Sequence, residues 1–371
     1  MKISTQTEVA SRLVGEERTI ELIAKAGFDA WDFSMFDMCK YDWDKKCLLP
    51  NSHPLAGNDY LAFARRLKRI GLDNGIVCNQ SHAPFPARCK PIRDHFKRAI
   101  ECSAEAGAEI CVIHPDNYKS PEENAEMYFE LLPFAKEHNV KIATENMWCW
   151  DDKKDQACEA ACSHHDNFRR HIDIVGDPFL VACLDIGHAE MKGLDTTAEK
   201  MIHTLGASLQ ALHIHDNDKW HDSHQIPFSM DIDFSKVVKA LKDIDYKGYF
   251  TLEADSYLKK FTAENVADGM HAADELPETA AETEIANAYI AAWQTELDRL
   301  YQIWLLNSLP EEQPMVINHK TMFQGYLNSQ QTLWNVQYGE GSAKVLEMTN
   351  DMLMEQCYTL CSVVHPLMME K

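Results

Sequence analysis

Short strand-like runs alternate with amphipathic helical stretches over the first 255 residues of the chain. The helical stretches mostly end at Gly or Asn, the residues that helix C-termini favour, as at Gly27, Gly107 and Asn139. Eight β/α units in this order predict an α/β fold, a parallel (β/α)8 barrel that spans residues 1–275. The candidate strands occupy residues 2–7, 28–35, 75–82, 109–115, 140–146, 180–188, 209–216 and 248–255.

The sequence changes character after the eighth strand. A helix at about 262–273 would close the barrel, and the acidic, Pro-bearing stretch 274–284 predicts a boundary. Apolar residues then recur at steps of three and four from Ile285 to Trp304, which predicts a long amphipathic helix over 281–306. Two more helices are predicted at about 320–337 and 343–363. We therefore predict a small all-α C-terminal domain over residues 281–371.

Charge and cysteine usage restrict the partners of the chain. The formal net charge of −22 repels phosphodiester backbones and anionic membranes, so we expect neither a nucleic-acid nor a membrane partner. The N-terminus lacks the apolar core of a signal peptide, and no later run reaches the length of a membrane span. Together with twelve cysteines that form no CxxC pattern, this predicts a cytoplasmic protein with reduced thiols.

Polar residues recur at the C-terminal end of the predicted strands. In a parallel barrel these ends converge on one face, where binding and catalytic groups lie. The densest group is the stretch 211–228, ALHIHDNDKWHDSHQIPF, whose imidazoles and carboxylates are costly to bury without a cation or a polar ligand. The residues expected at this face are His82, His114, Glu145, Asp185, His188, His213, His215, Asp222, His224 and Glu253.

Three carboxylates at one barrel mouth imply a cation. Glu145, Asp185 and Glu253 would repel one another unless a divalent ion neutralised them. With the imidazole of His213 they form a mixed ligand set that suits Mn, Zn, Co or Mg. Strand alternation directs residues 213 and 215 to the same side, so His215 could face the same pocket. We predict one divalent ion held by these carboxylates and His213.

Several of these motifs carry a family resemblance. The ATEN around Glu145, the LDIGH of Asp185 and His188, the HIHDN of His213 with the following DSHQIPF, and the GYFTLEAD of Glu253 resemble the sugar phosphate isomerases/epimerases of the xylose isomerase-like TIM barrel superfamily. This superfamily also includes tagatose epimerases and endonuclease IV. The resemblance covers roughly residues 1–275.

The resemblance implies a metal held by Glu145, Asp185, His213 and Glu253, and the HIHD frame favours His213 over His215 as the histidine ligand. It also implies a sugar substrate near His188. In an isomerase, His82 and His114 would bind substrate hydroxyls, and His215 could face the same pocket. Related barrels commonly associate, so a homo-oligomer is a further expectation. The substrate-binding candidates are His82, His114, His188 and His215.

Such a site performs proton transfer beside a carbonyl group. A metal that bridges a carbonyl oxygen and a neighbouring hydroxyl stabilises the enediolate that forms when the α-proton leaves. We assign the acid and base roles to Glu145 and Glu253. With the resemblance, this chemistry predicts a metal-dependent sugar or sugar phosphate isomerase or epimerase. Aromatic side chains at Trp31, Phe33 and Phe85 and at Trp148 with Trp150 are candidate cavity walls.

Two other functions use the same residues. His82, His114, Asp222 and His224 match positions that endonuclease IV uses for additional zinc ions, so a multi-zinc phosphodiesterase is an alternative. In an isomerase, Asp222 and His224 would instead support the loop. A dehydratase of keto-polyols would use the same enolisation step. The segment 148–165 is a long insertion that would be a lid or a surface loop.

The C-terminal region carries a fainter resemblance. Its LDRLYQ and SQQTLW stretches and the late Cys357 resemble the LprI-type lysozyme-inhibitor domain of bacterial envelope proteins. Only a helical structure is implied for this chain.

Overall fold

The computed structural model describes residues 2–42, 44–338, 345–346, 348–349, 351–357 and 359–360. The chain divides into two compact units, residues 1–274 and residues 275–371.

The first unit is built around a sheet of eight parallel strands. Each strand pairs with the next one along the chain from β1 to β7, and β8 returns to pair with β1. A parallel bridge between Ile214 and Leu252 joins β7 to β8 and closes the ring. The predicted (β/α)8 barrel is therefore confirmed. The strands are β1 Ile3–Gln6, β2 Ala30–Ser34, β3 Val77–His82, β4 Ile110–Val112, β5 Lys141–Glu145, β6 Leu180–Asp185, β7 Leu209–His213 and β8 Phe250–Leu252.

Helices follow the strands and pack outside the barrel. Their apolar faces bury a continuous core against the outer face of the sheet, while five small or β-branched side chains fill the interior: Val112, Ala143, Val181, Cys183 and Ala211. The described helices of the first unit are Glu8–Val14, Glu16–Ala26, Tyr60–Asp73, Lys90–Arg93, Phe96–Ala106, Pro121–Glu137, His165–Val175, Ile186–Glu190, Ala198–Leu205, Phe234–Asp243, Asp255–Leu258 and the beginning of Val266–Asn307, with 3-10 turns at Phe36–Met38, Pro54–Ala56 and Gly206–Ser208.

Two short hairpins interrupt the alternation. Strands Tyr41–Asp42 and Cys47–Leu48 follow β2, and strands Cys149–Asp151 and Gln156–Cys158 follow β5. The second hairpin lies within the predicted insertion 148–165. It places Trp148, which directly precedes its first strand, at the mouth of the barrel.

The second unit is helical, as predicted. The helix Val266–Asn307 continues through residues 274–284, so the predicted boundary falls within a helix and not in a loop. Helix Gln313–Tyr338 confirms the next predicted helix, and the described residues between 345 and 360 are also helical. The side chains of Ile285, Tyr289 and Trp293 lie outside the described set. The buried cluster of this unit comprises Leu297, Leu300, Tyr301, Val316, Leu327, Leu353, Cys357 and Leu360.

Within the described part of the chain, no helix combines the length and the apolar character needed to cross a bilayer.

Candidate metal centre and substrate cavity

The predicted site residues lie at the C-terminal ends of six consecutive barrel strands. His82, Glu145, Asp185 and His213 are the last residues of β3, β5, β6 and β7, and Glu253 directly follows β8. His114 follows β4, and His188 lies in the short helix after β6. His215, Asp222 and His224 belong to the loop after β7. The structure arranges these ten residues in two adjoining groups.

Glu145 is the centre of the first group. One carboxylate oxygen lies 2.9 Å from Nε2 of His114 and 3.4 Å from Nε2 of His82. The other oxygen lies 3.0 Å from Nδ1 of His213, which is also 3.4 Å from a carboxylate oxygen of Glu253. All five side chains are largely buried, so the group is shielded from bulk solvent.

His213 uses both of its ring nitrogens in this group. Its Nε2 faces the carboxylate of Asp32 at 3.2 Å, opposite the contact of Nδ1 with Glu145. Asp32 is fully buried in β2 and also accepts a hydrogen bond from the amide of Gln80 at 3.0 Å. Sequence reasoning missed Asp32. The signal that could have found Asp32 is its position between two aromatic residues of a strand. If Trp31 and Phe33 face outward, strand alternation directs the carboxylate of Asp32 into the barrel.

The second group surrounds Asp222. The ligand atoms of His188, His215, Asp222 and His224 all lie within 4.8 Å of one another. The carboxylate of Asp222 is 3.2 Å from Nε2 of His224 and 3.3 Å from Nε2 of His188. The rings of His215 and His224 stack with their centroids 3.9 Å apart.

Asp185 belongs with this second group by its contacts. One carboxylate oxygen accepts the backbone N–H of His188 at 2.7 Å and lies 3.1 Å from Nε2 of His215. The amide of Asn146 holds the backbone of Asp185 on both sides, because Asn146 accepts from its N–H and donates to its carbonyl, each at 2.8 Å. Sequence reasoning missed this supporting role of Asn146.

Three buried polar atoms in this region lack a hydrogen-bond partner among the described residues: Oδ2 of Asp185, Nε2 of His215 and Oδ1 of Asp222. Leaving such atoms unsatisfied costs roughly 1–3 kcal/mol each. A divalent cation would satisfy carboxylate oxygens and an imidazole nitrogen together. The donor set therefore fits a metal ion.

The imidazole of His215 packs directly against the backbone at Gly187. A Cβ atom at position 187 would lie 2.0 Å from Cε1 of His215, far inside any normal contact. We expect Gly187→Ala to displace this ring, to lower the free energy of unfolding by about 1–3 kcal/mol and to weaken metal binding. Denaturant unfolding and metal titration measure the two effects.

Gly57→Ala is the matched control, because a Cβ at position 57 would make only an ordinary 3.5 Å contact with the carbonyl oxygen of Pro54. Equal metal affinity in Gly187→Ala and Gly57→Ala would contradict the proposed packing role of Gly187.

The pKa values of the two glutamates of the centre are shifted in opposite directions. Burial favours a neutral carboxyl, but the rings of His213 and His114 outweigh it and hold the pKa of Glu145 well below its usual value. Burial dominates at Glu253 and raises its pKa, although His213 and His224 oppose the shift. The site thus places a carboxyl group of lowered pKa beside one of raised pKa.

The pKa values of the histidines are also shifted in opposite directions. Burial lowers the pKa of His114 to about 4, so its ring is neutral near neutral pH. Burial also opposes protonation of His224, but the carboxylate of Asp222 outweighs it and raises its pKa to about 10. Asp185, despite its burial, is kept ionised by His188 and His215, which lower its pKa to about 2. These opposite shifts keep charge of both signs in one buried site.

A cavity of about 420 Å³ opens above the two groups. The aromatic side chains of Phe36, Phe85 and Trp148 form part of its wall. Trp31, Phe33 and Trp150 do not, which corrects the prediction. Trp31 and Phe33 are fully buried, with Trp31 against the helix Tyr60–Asp73, and Trp150 packs against the cluster of Met191 and Leu194. The remaining lining residues are Glu8, His82, His114, Asn117, Glu145, Met147, His188, Asp222, His224, Glu253, Asp255 and Lys259.

Two further carboxyl groups, those of Glu8 and Asp255, lie at the edge of the cavity. Glu8 hydrogen-bonds to Asp255, and burial together with this neighbour raises the pKa of Glu8 to about 7. The native carboxyl therefore binds its proton more tightly than the unfolded one. The free energy of unfolding must then fall as pH rises from about 4.5 to about 7, and the loss persists above pH 7.

Replacing Glu8 with Gln removes this penalty. We expect metal-free Glu8→Gln to be more stable than the wild type at pH 8 by on the order of 1–3 kcal/mol, and to differ little at pH 5. Denaturant unfolding at the two pH values measures this. The exposed Glu137→Gln serves as control, with no pH-dependent difference expected. A Glu8→Gln variant that is less stable at pH 8 would contradict the assignment.

Comparisons with known proteins agree with this architecture. The sequence matches the xylose isomerase-like TIM barrel family over residues 20–281. The uncharacterized protein MJ1311 of Methanocaldococcus jannaschii is 25% identical over 264 residues, which are 63% of this chain and 78% of that protein. The uncharacterized protein y4fM of Sinorhizobium fredii is 27% identical over 164 residues, 41% of this chain and 49% of that protein.

Solved structures share the barrel fold. A D-tagatose 3-epimerase-like protein superposes with a TM-score of 0.55 at 21% identity, over 75% of this chain and 97% of that one. D-psicose 3-epimerase in the presence of D-fructose superposes with a TM-score of 0.55 at 14% sequence identity, over 74% of this chain and 98% of that one. The IOLI protein with a binding zinc atom superposes with a TM-score of 0.56 at 16% identity, over 74% of this chain and 97% of that one.

The family match covers the barrel, and the resemblance of the C-terminal region to LprI-type domains stays a prediction. Since residues 20–281 are more than half of the chain, the protein belongs to the xylose isomerase-like TIM barrel family.

Proposed function

We propose that this protein is a divalent-metal-dependent sugar isomerase or epimerase. The observation that carries the proposal is the convergence of buried carboxylates and imidazoles, three of them with unpaired ligand atoms, on a cavity of about 420 Å³. Structural neighbours that include a D-psicose 3-epimerase, and one that binds zinc, support the same function.

The ion would be held by Glu145, Asp185, Glu253 and one histidine. The sequence predicts His213, but the contacts favour His215. Both nitrogens of His213 already face carboxylates. Nε2 of His215 lies 3.1 Å from Asp185 and 3.4 Å from Asp222, but it forms no aligned hydrogen bond with any described residue. We therefore propose His215 as the ligand. His213 would then position Glu145 through the chain of contacts that begins at Asp32.

The chemistry is proton transfer at the carbon beside a carbonyl. When bound, the metal would polarise the carbonyl oxygen and neutralise the negative charge that develops on it. Glu145, which its lowered pKa keeps ionised, would accept the proton as base, and Glu253, with its raised pKa, would deliver one as acid. His82 and His114 hold Glu145 in place and would also meet substrate hydroxyls.

The cavity favours an uncharged sugar over a sugar phosphate. Its described lining contains five carboxyl groups, and Lys259 is the only lysine or arginine among the lining residues. Phosphate groups are usually held by Arg forks, Lys or backbone N–H groups. The other cationic groups of this lining, His188 and His224, are already engaged with the carboxylate of Asp222. Carboxylates accept hydrogen bonds from hydroxyls, and the rings of Phe36, Phe85 and Trp148 can pack against the C–H face of a sugar.

A screen of matched pairs of free and phosphorylated ketoses, with added Mn²⁺ and product analysis, tests this proposal. We expect conversion of at least one free ketose to an aldose or an epimer, and slower conversion of its phosphate. Preference for the phosphate would contradict the assigned substrate class. Loss of water from a keto-polyol would instead identify the dehydratase that shares the enolisation step.

One observation favours a second candidate, a multi-zinc phosphodiesterase. His82, His114 and Glu145 form one group with metal-ligand spacing, and His188, His215, Asp222 and His224 form another. The net charge of −22 opposes binding to nucleic acid. Metal analysis of the purified protein separates the two: one tightly bound ion per chain supports the isomerase, whereas three zinc ions with cleavage of abasic DNA would establish the phosphodiesterase.

A further inference from the structure

Two cysteines face each other in the hairpin that carries Trp148 toward the cavity. The strands Cys149–Asp151 and Gln156–Cys158 are antiparallel, and their register pairs Cys149 directly with Cys158. Directly opposed residues of an antiparallel pair have Cα atoms roughly 4.5–5.5 Å apart and side chains on the same face. Disulfides need Cα separations of about 4.4–6.8 Å. The backbone therefore already meets the main geometric requirement for a disulfide.

The two faces of the hairpin have different roles. Trp148, Trp150 and Ala157 pack in a small apolar cluster with Met191 and Leu194. Strand alternation places the two cysteines on the opposite face, where both are half-buried and both are reduced. A bond between them would need no rearrangement of the apolar cluster.

We propose that Cys149 and Cys158 form a reversible disulfide that fixes the hairpin at the mouth of the cavity. A small-molecule disulfide such as oxidised glutathione is the oxidant. One cysteine thiolate attacks it to form a mixed disulfide and releases one glutathione thiol, and the second cysteine then displaces the other. The protein loses two electrons and two protons, and the oxidant is reduced to two thiols that carry these protons.

Trp148 connects the hairpin to the candidate site, so a disulfide in the hairpin would affect the cavity through this residue. This residue precedes Cys149, lines the cavity, and its indole N–H donates to Asp222 at 3.3 Å. A crosslink at the next residue would restrict the opening of the hairpin and the departure of this indole from Asp222. The disulfide would thus couple the redox state of the hairpin to access to the cavity.

The turn of the hairpin allows a direct test on the full-length protein. Lys153 and Lys154 are exposed between the two strands, so trypsin separates Cys149 from Cys158. The protein is incubated with oxidised glutathione at mildly alkaline pH, because burial and the neighbouring Cys149 raise the pKa of Cys158. Free thiols are then alkylated, and tryptic peptides are identified by tandem mass spectrometry.

We expect the peptides that contain Cys149 and Cys158 to remain joined, to separate after treatment with dithiothreitol, and to be unlinked in Cys149→Ser and Cys158→Ser. The exposed Cys47→Ser is the control and should retain the link. Only glutathionylated peptides, or links to Cys162 in place of Cys158, would overturn the pairing.

Amide hydrogen exchange tests the effect on the hairpin. Residues 150–157 should exchange at least about fivefold more slowly in the oxidised protein than in the reduced one. Cys149→Ser should show no such difference. Equal exchange in the oxidised and reduced wild type would overturn the restraining role, even if the disulfide forms.

Discussion

Glu145→Gln is expected to lower the rate of proton exchange between solvent and a substrate ketose by at least about a hundredfold, within the range of 10² to 10⁴ that general acid–base groups contribute. The substitution keeps the shape of the side chain but removes the base. Glu145 also contacts His82, His114 and His213, so its loss changes the charge balance of the whole first group. Exchange is followed by NMR in deuterated solvent at saturating Mn²⁺.

The exposed Glu130→Gln is the control for this experiment, with exchange expected at the wild-type rate. Circular dichroism verifies that both variants keep the barrel. If a folded Glu145→Gln protein retained the wild-type exchange rate, Glu145 would not be the base.

His215→Ala is expected to weaken binding of the divalent ion by more than about a hundredfold, since it removes a proposed ligand. His213→Asn should cost less, about 10- to 100-fold, which is the usual effect of losing a residue that orients the ligands. The reason is the geometry of the two rings. Nε2 of His215 lies beside Asp185 and Asp222 without an aligned hydrogen bond, whereas His213 bridges Asp32 and Glu145.

Isothermal titration of the metal-free proteins measures these affinities. The exposed His221→Ala tests whether the loss of any histidine from the loop after β7 has the same effect, and it should bind metal as the wild type does. A larger loss for His213→Asn than for His215→Ala would restore His213 as the ligand.

Much of the fold was predictable, because a parallel barrel imposes a regular pattern on its sequence. Every second residue of a strand faces the interior, helices intervene, and polar residues gather where the strands end. Glu145 and Asp185 were found by this rule alone, as the final residues of β5 and β6. The same rule could not decide which of His213 and His215 holds a metal, since alternation directs both to the same side.

The missed features depend on long-range contacts that no local pattern encodes. Asp32 becomes important only because β2 brings it within 3.2 Å of His213, 181 residues away. Gly187 is required because the His215 ring from another strand end packs against it. Trp31 and Phe33 were misplaced because aromatic residues suit both a cavity wall and the core outside the barrel.

In the C-terminal region, the sequence pattern predicted an interruption that the structure replaces with a helix. The Pro-bearing stretch 274–284 suggested an interruption, but it is rich in Ala and Glu, which favour helix, and the helix Val266–Asn307 continues through it. Local helix propensity outweighed the presence of one proline.

The most direct test of metal-dependent proton transfer is deuterium uptake from solvent into a free ketose, compared between the metal-loaded and the chelated protein. We expect uptake at the carbon next to the carbonyl group, loss of uptake after chelation, and recovery when Mn²⁺ or Zn²⁺ is restored. Uptake that persists without metal, or no uptake from any free ketose by a protein that cleaves abasic DNA, would contradict it.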